Sequence, residues 1–354
     1  MVGKKVIIVG EMHNDLFYKC EFFKALEDQL AERIARDNAK LEGMKNEEIK
    51  NLIHAVISDL PKKNPAEAFI KRGGNGNNST ELFGKLGVPI KLMTVVGRGS
   101  EWMKDELDAM GVDTSCIFQL PKTTPISTII EDPVTTKIFT AANLKKDMNF
   151  STISIENSHF ADASIAFFTP MSAKFEPILS KLQGMPIGVT TAITLESQAI
   201  DNLEALQQIV KLKIDVLFVN KADAISVSAT KSLDDADKVL QRFARIRVIT
   251  LGSEGSVIRS DFCQPVMLPV FQVKVIDRTG AGDSFAAGVL LKCHEFIEKN
   301  GNLVKYLEKA SQKDKVALLT DLGTFGTAVA SLKVSTARTP TRLEVAEFLK
   351  QHKL

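Results

Sequence analysis

The stretch Val273-Lys274-Val275-Ile276-Asp277-Arg278-Thr279-Gly280-Ala281-Gly282-Asp283-Ser284-Phe285, running on into Ala286-Ala287-Gly288-Val289-Leu290-Leu291, decides how this chain is read. Val273, Val275 and Ile276 read as the end of a strand, and Ala286 to Leu291 as the opening of an apolar helix. A turn made of two glycines and an alanine lies between them, so the backbone there can approach a ligand without side-chain obstruction. The first N–H groups of a helix have no intrahelical partner, and the helix dipole favours negative charge at that end. Such a turn suits the charge of a phosphoryl group in transfer. Asp283 stands at its edge, where a carboxylate can take the proton of an alcohol attacking phosphorus. Taken alone, Asp283 reads as an ordinary helix N-cap. That simpler role leaves the glycines and the Asp277–Thr279 lead-in unexplained.

Outward from this turn, short apolar runs recur at Val6–Val9, Ile90–Val96, Ile165–Phe168, Pro186–Val189, Val216–Val219 and Val248–Leu251. Helical patterns separate several of them, at Glu101–Met110, Phe175–Leu182 and Asn202–Leu212. This alternation predicts an α/β fold with a mostly parallel central sheet and helices on both faces. Two segments break the rhythm. Thr123–Asn143 is rich in Thr and β-branched residues on either side of Glu131-Asp132-Pro133-Val134, and reads as a β-hairpin. Glu21–Leu60 carries Phe22, Leu26, Leu30 and Ile34 at four-residue spacing. After Gly43 come Ile49, Leu52, Ile53, Val56, Ile57 and Leu60, and Pro61 stops the pattern. These read as two amphipathic helices, a packed hairpin in preference to a partner surface.

Composition narrows the function. The chain has 354 residues with 45 Lys+Arg against 43 Asp+Glu, a net charge of +2, which gives no reason to expect nucleic acid or an anionic membrane as partner. An apolar fraction of 44% supports a sizeable core. Cys20, Cys116, Cys263 and Cys293 form no CxxC pair, so a reducing cytoplasm is the expected home. No run approaches the length of a membrane span, and the first apolar run is too short for a signal sequence.

The motif Asp277-Arg278-Thr279-Gly280-Ala281-Gly282-Asp283 resembles the D-x-T-G-A-G-D signature of the ribokinase-like (PfkB) carbohydrate kinases. Further segments follow in the same order. Val9-Gly10-Glu11-Met12-His13-Asn14-Asp15 is similar to that family's first strand and the Asp after it. Gly73-Gly74-Asn75-Gly76-Asn77-Asn78 resembles G-G-x-x-x-N. Val95-Val96-Gly97, Leu107 and Gly111-Val112-Asp113-Thr114 resemble V-G…L…G-V-D-T. Asn220-Lys221-Ala222-Asp223 falls where N-x-x-E stands, and Thr250-Leu251-Gly252-Ser253-Glu254-Gly255 looks like T-x-G-x-x-G.

The resemblance implies a three-layer α/β/α ribokinase-like fold over 1–354 as one domain. Residues 21–70 would form a helical insertion in place of part of the usual lid, and 123–143 a residual lid hairpin. It implies an ATP-dependent kinase acting on a hydroxyl of a small sugar or polyol. Asp283 is then the general base, and the backbone of Gly280, Ala281 and Gly282 the anion hole. Asp15, Gly73, Gly74 and Asn78 bind the substrate, Asp15 through a vicinal diol. Thr250, Gly252 and Gly255 line the nucleotide. Asn220 and Asp223 organise water around Mg²⁺. Some members hold a monovalent cation such as K⁺ where Asp277 and Thr279 stand. Lids in the family often pair subunits, which makes a homodimer one expected assembly.

The chain also departs from the pattern. His13 replaces a common Asn and is given no role. Thr190-Thr191 stand where the strand ending Gly188-Val189 commonly leads into an Asp, Arg98-Gly99-Ser100 replaces an acidic pair, and Asp223 replaces a Glu. Lys71 and Arg72 before Gly73 read as solvated surface cations in preference to a contact for an anionic substrate group. Two alternatives stand beside the sugar kinase: a nucleoside kinase of the same family, and a ligand-binding member that has lost catalysis and works through the helical insertion. A dinucleotide dehydrogenase lacks its GxGxxG after a strand, no GxxxxGK[ST] is present, and the five His show no metal-hydrolase spacing.

Overall fold

Val6-Ile7-Ile8-Val9 has no polar face because both faces of its strand are covered. Val6 and Ile8 enter one core, Ile7 and Val9 the other, and all four are fully buried. The computed structural model describes residues 3–36, 45–185 and 188–352, so Gly43, Pro186 and Ile187 lie outside the described residues. The strands are β1 (Lys5–Gly10), β2 (His13–Lys19), β3 (Glu67–Gly73), β4 (Ile90–Arg98), β5 (Asp113–Thr123), β6 (Ile126–Glu131), β7 (Thr136–Thr140), β8 (Ala163–Thr169), β9 (Thr190–Leu195), β10 (Ile214–Asn220), β11 (Ala244–Thr250), β12 (Ser256–Ser260) and β13 (Val266–Leu268). The α-helices are α1 (Phe22–Arg36), α2 (Asn46–Asp59), α3 (Asn75–Lys85), α4 (Glu101–Ala109), α5 (Ala142–Asp147), α6 (Glu176–Gln183), α7 (Leu203–Ile209), α8 (Lys221–Ser228), α9 (Leu233–Leu240), α10 (Ala281–Asn300), α11 (Leu303–Lys309), α12 (Gln312–Thr336) and α13 (Arg342–Gln351).

The chain divides into two compact units. The first takes its described residues from 1–12, 74–122 and 148–354; the second from 13–73 and 123–147.

The first unit is a three-layer α/β/α structure around a nine-stranded sheet, ordered β13-β12-β11-β10-β9-β8-β1-β4-β5. Neighbours from β11 through β10, β9, β8 and β1 to β4 run parallel, while β12 and β13 pair antiparallel at one edge. Odd and even positions of the central strands feed different helix layers. Ile165 and Phe167 of β8 join Phe83 of α3, Leu290 of α10 and Ala328 of α12, whereas Ala166 and Phe168 join Leu179 of α6, Val227 of α8 and Leu240 of α9. The expected architecture is therefore present.

The second unit is a four-stranded sheet, ordered β3-β2-β6-β7, with α1, α2 and α5. β2 runs antiparallel to β3 and parallel to β6, and β6 pairs antiparallel with β7. The hairpin read at 123–143 is thus half of a larger sheet. Both amphipathic helices are present, but α1 buries no residue fully and α2 buries only Val56. The helical segment is shorter than 21–70, because Glu67–Gly73 is strand.

Two sequence readings need correction. Val273–Ile276 is not a strand end: the chain from 269 to 280 lies outside the sheet, and the Ile276 and Asp277 amides donate to Val334 O of α12 at 2.8 and 3.1 Å. Extended, β-branched residues here find a helix carbonyl in place of a strand neighbour. The strand read at Pro186–Val189 begins later, at Thr190, and runs to Leu195. The Gly-Asn segment starts a helix. Gly74, at φ 93°, is the N-cap of α3, and Asn75 to Asn78 are its first turn.

Candidate active site

Gly280 has φ 73°, a left-handed conformation that a side chain resists, and it is the N-cap of α10. Its carbonyl already accepts from Ser284 N at 3.0 Å, and Ala281 N donates to Arg278 O at 3.2 Å. Among the described residues no backbone partner engages the amides of Gly282 and Asp283. The amides of this turn left without a backbone partner are therefore these two, since that of Ala281 is spent within the loop. A Cβ on Gly282 would meet nothing within 4 Å, so the turn is open to a ligand.

Asp283 reaches solvent, but protein on its other sides keeps water from surrounding the carboxylate. Loss of hydration is the one cause that raises its carboxyl above the ordinary value. Asp277 is built differently. Its Oδ1 accepts from Thr279 N at 2.8 Å, its Oδ2 lies 3.6 Å from Lys333 Nζ, and its carboxyl is held below the usual range, first by the Thr279 amide.

Glu196 was not found from the sequence. It follows β9 directly, and its carboxyl is raised first by desolvation, then by repulsion from Asp283 and Asp223. A carboxylate therefore does follow this strand, six residues beyond Thr190. The signal was available in Thr190, Thr191 and Thr194, β-branched residues that continue a strand.

Asn220 is the N-cap of α8 and accepts from Asp223 N at 2.8 Å, while its Nδ2 donates to Asp223 Oδ2 at 2.5 Å. Asp223 Oδ1 accepts from Ser197 Oγ at 2.6 Å and Ser197 N at 3.2 Å. No group of three or more His, Cys, Asp and Glu is close enough to hold a metal ion directly among the described residues. The donor set fits a hard cation that keeps its waters: the carboxylates of Asp283 and Asp223 act on that of Glu196, which gains from a positive charge nearby.

Thr250 ends β11, and the turn after it closes on itself, Leu251 N donating to Gly255 O at 2.8 Å and Gly255 N to Gly252 O at 3.2 Å. A Cβ on Gly255 would lie 2.1 Å from Leu268 O, so only glycine fits; Gly252 is exposed with open space beside it. Gly10 and Gly76 meet backbone to backbone, a Cβ on Gly76 falling 2.6 Å from Gly10 C. Glu11 O accepts the Gly76 and Asn77 amides at 2.9 and 3.3 Å, which fixes the start of α3. Asn78 is exposed on that first turn.

In the second unit Asp15 sits on β2 with His13 two residues earlier, on the same face. His13 Nε2 lies 3.1 Å from Asp15 Oδ1 and 3.2 Å from Ser127 Oγ. His13 is buried, and its Nδ1 has no partner among the described residues. A Cβ on Gly73 would fall 2.1 Å from Asp15 Cγ and Oδ2, so glycine at 73 makes room for that carboxylate. The same face carries Phe17 and Phe69, stacked with centroids 4.9 Å apart, and Lys71 Nζ lies 5.1 and 4.9 Å from the two rings. Arg72 alternates to the opposite face.

A Gly-rich helix start with two open amides, a poorly hydrated Asp in its first turn and further carboxylates nearby, on a doubly covered parallel sheet, defines a phosphotransferase of the ribokinase type. The family model for pfkB family carbohydrate kinase matches residues 61–345, and the chain belongs to that family. It is 26% identical over 210 residues to a cytidine kinase of Thermococcus kodakarensis, covering 58% of this chain and 73% of that one. It is 26% identical over 308 residues to a nucleoside kinase of Methanothermobacter thermautotrophicus, covering 82% and 88%. The solved nucleoside kinase of Methanocaldococcus jannaschii, described as an archaeal member of the ribokinase family, superposes with a TM-score of 0.63 at 22% identity over 99% of this chain and 100% of that one. No helix of the described residues is long and apolar enough to cross a membrane.

Proposed function

We propose that the chain transfers the γ-phosphoryl group of ATP to a hydroxyl of a ribose-bearing nucleoside. The observation that carries the transfer chemistry is the start of α10, where the open amides of Gly282 and Asp283 stand beside a carboxyl whose pKa is raised by lost hydration. Asp283 accepts the proton of the acceptor hydroxyl as its oxygen forms a bond to the γ-phosphorus; the bond from that phosphorus to the β,γ-bridging oxygen breaks and ADP leaves. The two amides receive the negative charge of the transferring group. Thr250, Gly252 and Gly255 form the nucleotide-facing turn. Mg²⁺, held through water by Asp223 and Glu196, would neutralise phosphate charge. Asn220 acts indirectly, by fixing Asp223.

Two observations support a nucleoside. Two curated relatives are a cytidine kinase and a nucleoside kinase. The Asp15 face also carries the Phe17–Phe69 pair two residues along the strand, a rise of about 7 Å, which suits a planar base beside a ribose diol held by Asp15. A free sugar is the second reading, supported by the Gly73-Gly74…Asn78 segment and by the family's carbohydrate substrates.

The test is ADP formation from ATP and Mg²⁺ with cytidine, adenosine, inosine, ribose and fructose. The nucleoside reading expects kcat/KM at least about 10²-fold higher for one nucleoside than for either sugar, the scale of losing the base contacts. Turnover confined to free sugars overturns it in favour of the second reading. Binding without turnover on every acceptor overturns both and favours a catalytically lapsed member.

A further inference from the structure

Lys333 brings a cation against the loop that opens α10, and helix packing puts it there. Helices α10 and α12 approach backbone to backbone: a Cβ on Gly288 would lie 2.8 Å from Gly326 Cα, and one on Gly326 would lie 2.8 Å from Phe285 O. The pair runs antiparallel. Eight residues back from Gly288 toward the start of α10 is Gly280; seven residues on from Gly326 toward the end of α12 is Lys333. Both steps span roughly 11 Å of helix, and the two residues meet, with Lys333 Cε 3.7 Å from a Cβ built on Gly280. The side chain is only 15% exposed, and its ammonium lies 3.6 Å from Asp277 Oδ2. Val334, next on α12, accepts the Ile276 and Asp277 amides through its carbonyl.

The resemblance drawn from the sequence puts a monovalent cation at Asp277 and Thr279. The residues present do not fit one. Asp277 has one oxygen on the Thr279 amide and the other facing the Lys333 ammonium. A second positive charge at that carboxylate would be repelled by the first. We propose that Lys333 is a built-in substitute for the monovalent cation: a positioning residue that neutralises Asp277, offsets the negative C-terminal end of α12 and holds the Gly280–Asp283 turn in its anion-receiving shape without added K⁺. Its activity arm rests on the kinase reading; a melting arm does not.

The full-length wild type and Lys333→Met, which keeps the aliphatic stem, are compared in tetramethylammonium chloride and in KCl at equal ionic strength. The assay uses ATP and the acceptor selected by the panel above. Wild-type kcat is expected to agree within twofold between the salts. Lys333→Met is expected to lose about tenfold or more in kcat in tetramethylammonium, the scale of a weakened anion hole, with KM for ATP moving less, and to recover several-fold in KCl. In the melting arm, without substrate, KCl raises the Tm of Lys333→Met relative to tetramethylammonium and leaves that of the wild type unchanged. Should Lys333→Met not fold, Lys333→Gln replaces it. More than twofold K⁺ stimulation of the wild type overturns the proposal. So does a variant with wild-type activity, or one that is impaired and unresponsive to K⁺ and NH₄⁺ in both arms. Failure of the kinase reading looks different: no acceptor is turned over, while the melting arm still decides.

Discussion

Replacing Gly73 by alanine separates the proposed substrate role of Asp15 from fold stability. The new methyl would sit 2.1 Å from Asp15 Cγ and Oδ2 and 2.4 Å from Oδ1. Contacting carbons need about 3.5 Å, so roughly 1.4 Å must be found. The backbone resists, because β3 is locked to β2 by pairing along its whole length, from His13↔Gly73 to Lys19↔Glu67. The Asp15 carboxylate can swing instead, which breaks its 3.1 Å contact with His13 Nε2. An off-rotamer side chain costs about 0.5–1.5 kcal/mol. Losing one hydrogen bond from a charged group to the acceptor costs about 1.5–3 kcal/mol, and each 1.4 kcal/mol is about tenfold. The expected result for Gly73→Ala is therefore kcat/KM for the acceptor down roughly 10- to 150-fold, with KM for ATP unchanged and Tm lowered by only a few degrees. Steady-state kinetics and a thermal melt measure this. Adding Gly73→Ala to Asp15→Ala should cost nothing further, because the group it displaces is already gone. A kcat/KM within twofold of wild type, or full additivity in the double variant, refutes the reasoning.

Gly76→Ala offers no such escape, since its Cβ would meet Gly10 C at 2.6 Å and Glu11 O at 2.9 Å, both backbone; a loss of about 2–3 kcal/mol in denaturant unfolding is expected, and a loss under about 0.5 kcal/mol would show that the close approach is not real. Asp113 opposes partial burial with bonds from Lys5 and Ser115 that bring its carboxyl down to about 2 from 3.8. Because its folded pKa is depressed, its stabilisation is complete above pH 3.8 and is lost as pH falls toward 2. Asp113→Asn should flatten that part of the stability–pH curve by up to roughly 2 kcal/mol, and an unchanged slope contradicts the pairing. The pKa of Asp283 is shifted the other way, upward by lost hydration. The proposed base is therefore protonated at higher pH than an ordinary Asp, and the acid limb of kcat/KM should lie above pH 3.8 and vanish in Asp283→Asn. An acid limb at or below pH 3.8 removes the raised carboxyl from the mechanism.

The parts of this account that were legible in the sequence are those written in local pattern. Val6–Val9 announces a doubly covered strand because every side chain in it must be buried, and Gly280-Ala281-Gly282 announces an open turn because only small residues leave the backbone bare. The Asp15–His13 pair is local too, two residues apart on one strand, but its meaning depends on knowing that 13–19 is a strand whose neighbour supplies Ser127. Glu196 was missed because the apolar run at 186–189 drew the strand too early, and the threonines that carry β9 to Leu195 are less conspicuous. The second unit was read in pieces, since its sheet gathers 13–19, 67–73 and 126–140 across long stretches of intervening chain. Lys333 had no sequence signal. It reaches the loop that opens α10 only through the contact of Gly288 with Gly326, and two glycines in separate helices do not reveal that they touch.

The most direct measurement is the turnover and ATP affinity of a folded Asp283→Asn variant, with ATP binding followed by calorimetry and kcat by ADP release. The side chain keeps its shape and loses only its capacity to take a proton, so kcat should fall by roughly 10²-fold or more while the Kd for ATP stays within about twofold of wild type. Undiminished turnover would remove Asp283 from proton transfer and, with it, the account of catalysis given for this chain.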